Sequence, residues 1–337
     1  MSQQNSRLTQ NIGFLLLPGF ALMSFASATE PLRAANLLAG RSLYDVETLS
    51  SDGTAVESSS GAIVPCRRMG LSRFDIIFVC AGGNPSKLGS PALYTALRQF
   101  ARGGGRIGGI SGGPYVLAAA GLLDGRDFTI HWEHAAALKE AFPHLNPRQA
   151  RFVLDGNRIT CGGGVAPLDM MHALIADRMG GDFARRVTDW YLHTAVAEPT
   201  APQRASSAER FGVNHPVLLN ILAKIEAAIE QPMDRAQIAA YAGVSTRNLD
   251  RLFAEHLKAG YTEVCRNLRL AHARRLLQQT PLSVSEIAFA TGFSSAGHFS
   301  RCYSDFFGKS PLKDRRSCRR GAVSSIPYRP VSERPPA

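Results

Sequence analysis

The sequence predicts an α/β domain, a parallel sheet with helices on both faces, followed by an all-α domain that carries two helix-turn-helix motifs. Three observations predict it. Short, continuous apolar runs alternate with helical stretches up to about residue 195. A Pro-, Ala- and Ser-rich segment at 195–208 (AVAEPTAPQRASSA) then breaks the pattern. Beyond it the chain reads as helix to about residue 316, and one arrangement of Ile, Gly and Ser occurs twice.

IGFLLL at 12–17 ends at Pro18-Gly19, DIIFVCA at 75–81 ends at Gly82-Gly83, and RIGGI at 106–110 leads into Ser111-Gly112-Gly113. Apolar runs this short, closed by turn residues, are those of strands buried on both faces. Helical patterns at 91–102 and 114–123 follow the second and third runs. Strands that alternate with helices build a parallel sheet covered on both sides. Residues 127–131 and 151–161 are expected as further strands, and 168–179 and 182–194 as helices. The segment at 195–208 has no apolar periodicity and reads as an interdomain linker. The expected divisions are a domain at 10–195, a linker at 196–212, a second domain at 213–317 and a basic, disordered tail at 318–337.

Of 337 residues, 45% are apolar and 19% charged, a balance that supports a packed core. The net charge is +11, and it is uneven: 208–337 hold 19 Lys/Arg against 11 Asp/Glu, while 1–207 hold 19 against 16. An excess concentrated in the smaller part is compatible with a polyanionic partner, although Arg315, Arg316, Arg319, Arg320, Arg329 and Arg334 near the end supply much of it. The six cysteines form no C-x-x-C pair and match no zinc spacing. They read as reduced thiols of a cytoplasmic protein with no metal and no cofactor. Residues 12–28 are mostly apolar and end in Ala26-Ser27-Ala28, the pattern of a signal-peptidase site. The leading segment carries only Arg7, Pro18-Gly19 interrupts the run, and a helical pattern continues through 31–38, so this stretch is expected to belong to the fold. No apolar run is long enough for a membrane span.

The repeat carries the chemistry of the second domain. Ile238, Gly243 and Ser245 recur as Ile287, Gly292 and Ser294, at an offset of 49. Leu249, Arg251 and Phe253 recur as Phe299, Arg301 and Tyr303, at an offset of 50, so the second copy has one extra residue. In each copy a short helix ends at a Gly able to turn left-handed, an apolar residue packs into the angle, and a Ser caps the next helix. Leu249, Leu252 and Phe253 form an apolar stripe, as do Phe299, Cys302 and Tyr303. The exposed end carries Ser245, Thr246, Arg247, Asn248 and Arg251 in the first copy, and Ser294, Ser295, Ala296, Gly297 and Arg301 in the second. A recognition helix enters the major groove by its N-terminal end. Arg pairs there with guanine and Asn with adenine, while hydroxyls hold phosphates. These ten residues are the expected contacts to double-stranded DNA, with more base reading by the first head and more backbone positioning by the second. A helix at 262–278, containing Arg266, Arg269, Arg274 and Arg275, joins the copies. It would set two reading heads one DNA turn apart, roughly 34 Å. A plain helical bundle with chance similarity is the alternative; two copies in register, each with Gly and cap, weigh against it.

Residues 213–317 resemble the AraC/XylS family. SVSEIAFATGFSSAGHFSRCYSDFFGKSPLKDRR is similar to that family's second-motif signature, and RLAHARRLLQQT to its linker helix. Ala259-Gly260-Tyr261 departs from the family pattern of a small residue, Ser and Pro, which points to a shifted entry of the linker helix. The resemblance implies an operator DNA site and RNA polymerase as partners.

Gly108-Gly109-Ile110-Ser111-Gly112-Gly113 has the form of a nucleophile elbow at a strand-to-helix transition. The order of elements over 10–195 resembles the ThiJ/PfpI and class I glutamine amidotransferase-like superfamily. There the elbow residue is Cys, and many members place a Glu just after the first strand. Here these positions are Ser111 and Ser24. Serine is a poor nucleophile without a general base. A Ser111–His131–Glu133 hydrolase is one reading, although His131 and Glu133 stand only i, i+2 apart on the expected strand. An enzyme fold whose pocket is kept for binding is the other.

The combination of the two domains resembles the GlxA-like regulators. PGFALMSFASATEPLRAANLLAG, AAAGLLDGRDFTIHWEH and TCGGGVAPLDMMHALI resemble a branch that includes regulators of glycine betaine, carnitine and arginine catabolism. The resemblance implies a small, cationic, nitrogen-containing effector. In that picture Trp132 offers its face to the cation and Glu133 a countercharge. Ser111, Gly112 and nearby N–H groups hold a carboxylate, and Ser24 and His131 complete the pocket. A core Trp132 and a surface Glu133 are the plain alternative, and Glu30 reads as a solvated helix residue. Cys161-Gly162-Gly163-Gly164 lets a strand end pass close to the pocket; no Lys-Ser/Thr follows, which argues against a phosphate loop.

The expected protein is a cytoplasmic, homodimeric, DNA-binding transcription regulator, an activator within the resemblance, with a small-molecule effector, no membrane association and no enzymatic activity. The competing readings are an amidase or hydrolase using Ser111 fused to a DNA-binding domain, and a DNA-binding protein whose first domain only dimerises.

Overall fold

In the computed structural model, which describes residues 8–70 and 73–319, the chain divides into two compact units, one ending at Gln203 and one beginning at Arg204. The first unit opens with β1 (Gln10–Leu16), α1 (Leu22–Ala39) and β2 (Tyr44–Ser50), then three two-residue strands, β3 (Val56–Glu57), β4 (Ile63–Val64) and β5 (Arg67–Arg68). There follow β6 (Ile76–Ala81), α2 (Pro91–Arg102), β7 (Arg106–Ser111), α3 (Gly113–Ala119), α4 (Ala135–Ala141), β8 (Phe152–Asp155), β9 (Arg158–Cys161), α5 (Ala166–Met179) and α6 (Gly181–Trp190). The main sheet has the order β5-β2-β1-β6-β7-β9-β8, parallel except for the β8–β9 pair.

The continuous apolar runs serve two layers at once. Phe14 and Leu16 of β1 join one core with Phe78, Ile110, Leu32 of α1, Met170 of α5 and Val187 of α6. Leu15 of β1, with Leu17 just after it, joins the other with Ile77, Val79, Leu97 of α2 and Val116 of α3. Successive side chains alternate across the pleat, so a strand covered on both faces needs apolar residues throughout. The would-be cleavage pattern lies inside α1, where Ser27 and Ala28 are buried.

Two sequence expectations change, and one strand is added. The strand at 127–131 does not form, because β9 occupies the place beside β7. Thr129 N–H donates instead to the Thr160 hydroxyl (2.9 Å), and the Thr129 hydroxyl donates to the carbonyls of Arg148 (2.8 Å) and Ala150 (2.9 Å). The run at 151–161 is a hairpin, turned at Gly156 with φ of 58°. β2 is a strand that the apolar pattern did not announce, because Asp45 and Glu47 interrupt it.

The segment after α6 is fastened to the first unit by polar side chains. Asp169 on α5, with no exposed side-chain surface, accepts from Arg151 Nε (2.8 Å) and Nη2 (2.6 Å), from His193 Nε2 (2.7 Å) and from Ala197 N–H (3.0 Å). Arg151 N–H donates to the Pro199 carbonyl (2.9 Å). Gln203 Oε1 accepts from Trp132 N–H (2.8 Å), while its Nε2 reaches Thr129 Oγ1 (2.9 Å), Ile130 O (3.0 Å) and Ala150 O (2.6 Å). Cys80 and Cys161 are buried in strands separated by β7. Burial pushes the Cys161 thiol up to about 12 and raises Cys80 as well, which keeps both protonated and unreactive.

The second unit is helical: α7 (Ser207–Phe211), α8 (Pro216–Ala227), α9 (Arg235–Tyr241), α10 (Thr246–Leu257), α11 (Tyr261–Gln279), α12 (Val284–Ala290), α13 (Ala296–Phe307) and α14 (Pro311–Arg319). α7, opened by a Ser206–Glu209 capping box, falls within the stretch expected as linker. The apolar stripes face inward: Leu249, Leu252, Phe253, Phe299 and Tyr303 are buried, Cys302 half-buried. The tail expected from 318 begins inside α14, and 320–337 lie outside the described residues. Among the described residues no helix is long and apolar enough to cross a membrane, and no cluster of His, Cys, Asp and Glu could hold a metal ion.

Candidate functional site

In the first helix-turn-helix, Gly243 (φ 65°) turns the chain between α9 and α10. Ser245 Oγ then accepts the Asn248 N–H (3.1 Å) and starts α10. Arg247 and Arg251 are exposed, Thr246 and Asn248 half-buried. Arg251 donates to Asn248 Oδ1 (2.9 Å) and to Glu255 (3.0 Å). The two side chains best suited to base reading therefore hold each other in place, with the guanidinium partly neutralised.

The second helix-turn-helix differs in its turn. Gly292 (φ 72°) packs so closely that a Cβ would stand 2.7 Å from Pro232 Cδ and 3.0 Å from the carbonyls of Ile229 and Glu230. The cap of α13 is Ser295, whose Oγ accepts the His298 N–H (3.3 Å), and not Ser294, the residue at an offset of 49 from Ser245. The extra residue thus sits in the turn, and the two recognition helices correspond at an offset of 50 throughout. His298, which sequence reasoning missed, takes the place of Asn248. Ser294, Ser295, Gly297, His298 and Arg301 are exposed, Ala296 half-buried.

α11 begins at Tyr261, so the departure at 259–261 brings a buried tyrosine to the first helical position. Its hydroxyl donates to the Met233 carbonyl (2.6 Å) and its ring meets Phe253 edge-on at 5.5 Å. Two linker-helix arginines are structural. Arg274 is buried against Asp314 (2.9 Å), and Arg269 donates to the Thr291 carbonyl (2.6 Å) and lies over the Phe293 ring at 4.1 Å.

In the first unit, Ser24, Ser111, His131 and Glu133 line one cavity of about 260 Å³, together with Ser59, Gly82, Gly83, His134 and Gly164, which had not been singled out for it. Ser111 ends β7 with φ of 61°, a left-handed conformation that costs a side-chain-bearing residue about 1–2 kcal/mol. Close packing enforces this elbow. A Cβ on Gly113 would overlap the Val79 carbonyl, and one on Gly163 would stand 2.8 Å from Ser111 Cβ. Ser24 Oγ accepts the Gly164 N–H (2.8 Å), so it positions the glycine turn.

His131 Nδ1 accepts the Glu133 N–H (3.2 Å), which leaves the ring proton on Nε2 as a donor. Burial first, then the neighbouring His134, lower the His131 pKa to about 4, so the ring is neutral at pH 7. Among the described residues no hydrogen bond joins the Ser111 hydroxyl to His131 or Glu133.

Trp132 and Gly112 are not among the residues that line the cavity. The Trp132 N–H is bonded to Gln203 and its ring lies 5.4 Å from that of His131. Gly112 N–H is engaged by the Ala81 carbonyl (2.9 Å) and offers no free donor. Glu30 lies outside the cavity lining and pairs with Arg33 (2.7 Å) on the surface of α1.

A strained serine elbow beside an open cavity, in one chain with two capped helix-turn-helix motifs, defines a DNA-binding protein with an α/β domain attached. The DJ-1/PfpI family model matches residues 10–177, and the helix-turn-helix domain model matches 238–317. The HTH-type transcriptional regulator GlxA of Rhizobium meliloti is 63% identical over 318 residues, 94% of this chain and 98% of that protein. The HTH-type transcriptional regulator GbdR of Pseudomonas aeruginosa is 41% identical over 313 residues, 92% of this chain and 85% of that one. The crystal structure of an AraC family transcriptional regulator from Pseudomonas putida is 31% identical, with a TM-score of 0.50, and covers 54% of this chain and 99% of that one. The chain belongs to the family of HTH-type transcriptional regulators that join a DJ-1/PfpI domain to an AraC-type helix-turn-helix domain. It is a DNA-binding regulator of transcription.

Proposed function

We propose that this regulator is an effector-controlled activator whose first unit is a receptor and not an enzyme. The observation that carries the reading is that His131, whose Nδ1 is engaged by the Glu133 N–H and whose pKa is lowered to about 4, makes no hydrogen bond to the Ser111 hydroxyl and is a weak base. The ligand is a small nitrogen-containing metabolite, a betaine, carnitine or a basic amino acid. Glu133 faces its cation, and the Ser111 hydroxyl and His131 Nε2–H face its carboxylate. A cavity of about 260 Å³ suits a molecule of that size. Ser245, Thr246, Arg247, Asn248 and Arg251 contact the operator through the first head, and Ser294, Ser295, Ala296, Gly297, Arg301 and also His298 through the second. The protein acts in the cytoplasm as a homodimer and engages RNA polymerase.

A thermal-shift screen of the purified chain against betaines, carnitine and basic amino acids tests the receptor. A bound effector raises the melting temperature; no response to any of them overturns the cationic ligand. Ser111→Ala is expected to leave regulation intact or change only effector affinity. Amide or ester turnover by the unsubstituted chain, abolished in Ser111→Ala, would establish the hydrolase instead.

A further inference from the structure

We propose that Gln203 is a latch through which the cavity controls the second unit; the inference rests on the receptor reading above. Gln203 is the last residue of the first unit, and Arg204 opens the second. Its side-chain amide is inserted between two stretches of chain that both supply cavity wall. In one stretch it bonds Thr129, Ile130 and Trp132, and His131 and Glu133, within and next to those bonds, line the cavity. In the other stretch it lies directly on Gly162, where a Cβ would stand 2.7 Å from Gln203 Cδ and Nε2. Gly162 has no left-handed φ, so glycine is required there for space and not for conformation. Two residues further, Gly164 lines the cavity and donates its N–H to Ser24, while Gly163 packs against Ser111.

An occupant that displaces His131 or the 162–164 turn therefore displaces the groups that hold the amide, apart from the Ala150 carbonyl at 2.6 Å. Once Trp132 N–H or Ile130 O moves, a half-buried amide with unmade hydrogen bonds is less stable than one released to water. The latch has two states, seated and released, and the cavity biases them. Upstream, Asp169 holds His193 and Ala197, and Arg151 holds Pro199, so the chain that release sets free is short and ends at Arg204.

The test uses the full chain and a covalent occupant in place of a metabolite. Ser111→Cys is alkylated with iodoacetamide, with labelling verified by mass, and the unsubstituted chain treated alike controls for the other thiols. Two signals are read: tryptic cleavage after Arg204, and amide exchange of the peptide containing Trp132. Gln203→Ala is expected to speed cleavage about tenfold or more and to remove protection at Trp132. Gly162→Ala, which expels the same side chain, should do likewise. Alkylation of Ser111→Cys is expected to change the cleavage rate at least about fivefold. It should change nothing further in the Ser111→Cys/Gln203→Ala double variant. Gln203→Glu, equal in size and still an acceptor for Trp132 but without the N–H donors, keeps the test decisive if the alanine variant misfolds. Faster cleavage in Gln203→Ala with no effect of alkylation makes Gln203 a passive staple and overturns the proposal. So does an unchanged rate in all Gln203 variants. No metabolite enters these measurements, so failure of the thermal-shift screen and failure of the latch are separate results.

Discussion

Arg251 stands exposed on the first recognition helix, but its guanidinium is bonded to Asn248 and Glu255 in the absence of DNA. Under the proposed function, contact with a guanine edge would have to compete with the Glu255 and Asn248 bonds. Arg251→Ala is expected to weaken specific operator binding by about 1–3 kcal/mol at fixed salt; an unchanged affinity would remove it from the contact set. His131 makes a prediction about acid. Burial, and then the His134 charge, depress its pKa from 6.5 to about 4. The unfolded chain then binds the proton more readily, so the stabilisation is fully present above about pH 6.5 and is lost as pH falls toward about 4. The slope reaches about 1.4 kcal/mol per pH unit for each such group. His272 in the second unit behaves alike, through burial and then Arg275. Melting of the first unit should fall between pH 7 and 5, and His131→Gln should flatten that fall. An unaltered pH profile in the variant would assign the acid loss to other groups. Neither residue's setting was legible in the sequence, which shows that a His lies near an elbow but not what its ring nitrogens bond.

At the scale of elements, the two helix-turn-helix motifs differ in their turns as well as in their exposed side chains. Both turns need glycine for a left-handed φ. Around Gly243 there is open space, whereas Gly292 lies against the backbone of residues 229–230 and Pro232. Gly243→Ala is expected to cost about 1–2 kcal/mol. Gly292→Ala adds a steric clash and should cost at least about 3 kcal/mol. Denaturant unfolding of the two variants compares them directly, and equal losses would mean that the 229–232 contact yields easily. The second cap shows the limit of pattern matching. Ser294 and Ser295 are adjacent and identical, so only the bond from His298 N–H to Ser295 Oγ identifies the cap. The hairpin at 151–161 is a similar case, because a single Gly-Asn step divides what reads as one strand.

For the whole molecule, most of the excess positive charge, +8 of +11, lies in 208–337, and two arginines of α11 are used to brace the fold. Salt dependence should therefore report the heads and not the linker helix. The logarithm of operator affinity is expected to fall linearly with the logarithm of salt, by about 0.9 for each phosphate contacted. Arg301→Ala should reduce that slope by about one, while a full slope in the variant would place Arg301 away from the backbone.

The sequence by itself determined the two-unit plan, the parallel sheet, the paired helix-turn-helix motifs and the serine elbow. All of these follow from periods of two and 3.6 residues, and from Gly and Ser at fixed short spacings, which act locally. Only the tertiary structure decided that 127–131 is not a strand, that the Trp132 N–H is bonded to Gln203, that Gly112 has no free N–H and that Gln203 is docked on the stretches that line the cavity. Those outcomes depend on which strand takes the place beside β7 and on polar groups such as Trp132 N–H and Gln203 Oε1, 71 residues apart, meeting at 2.8 Å. A hydrogen bond between distant groups leaves no periodicity in the chain, and so no trace until the chain is folded.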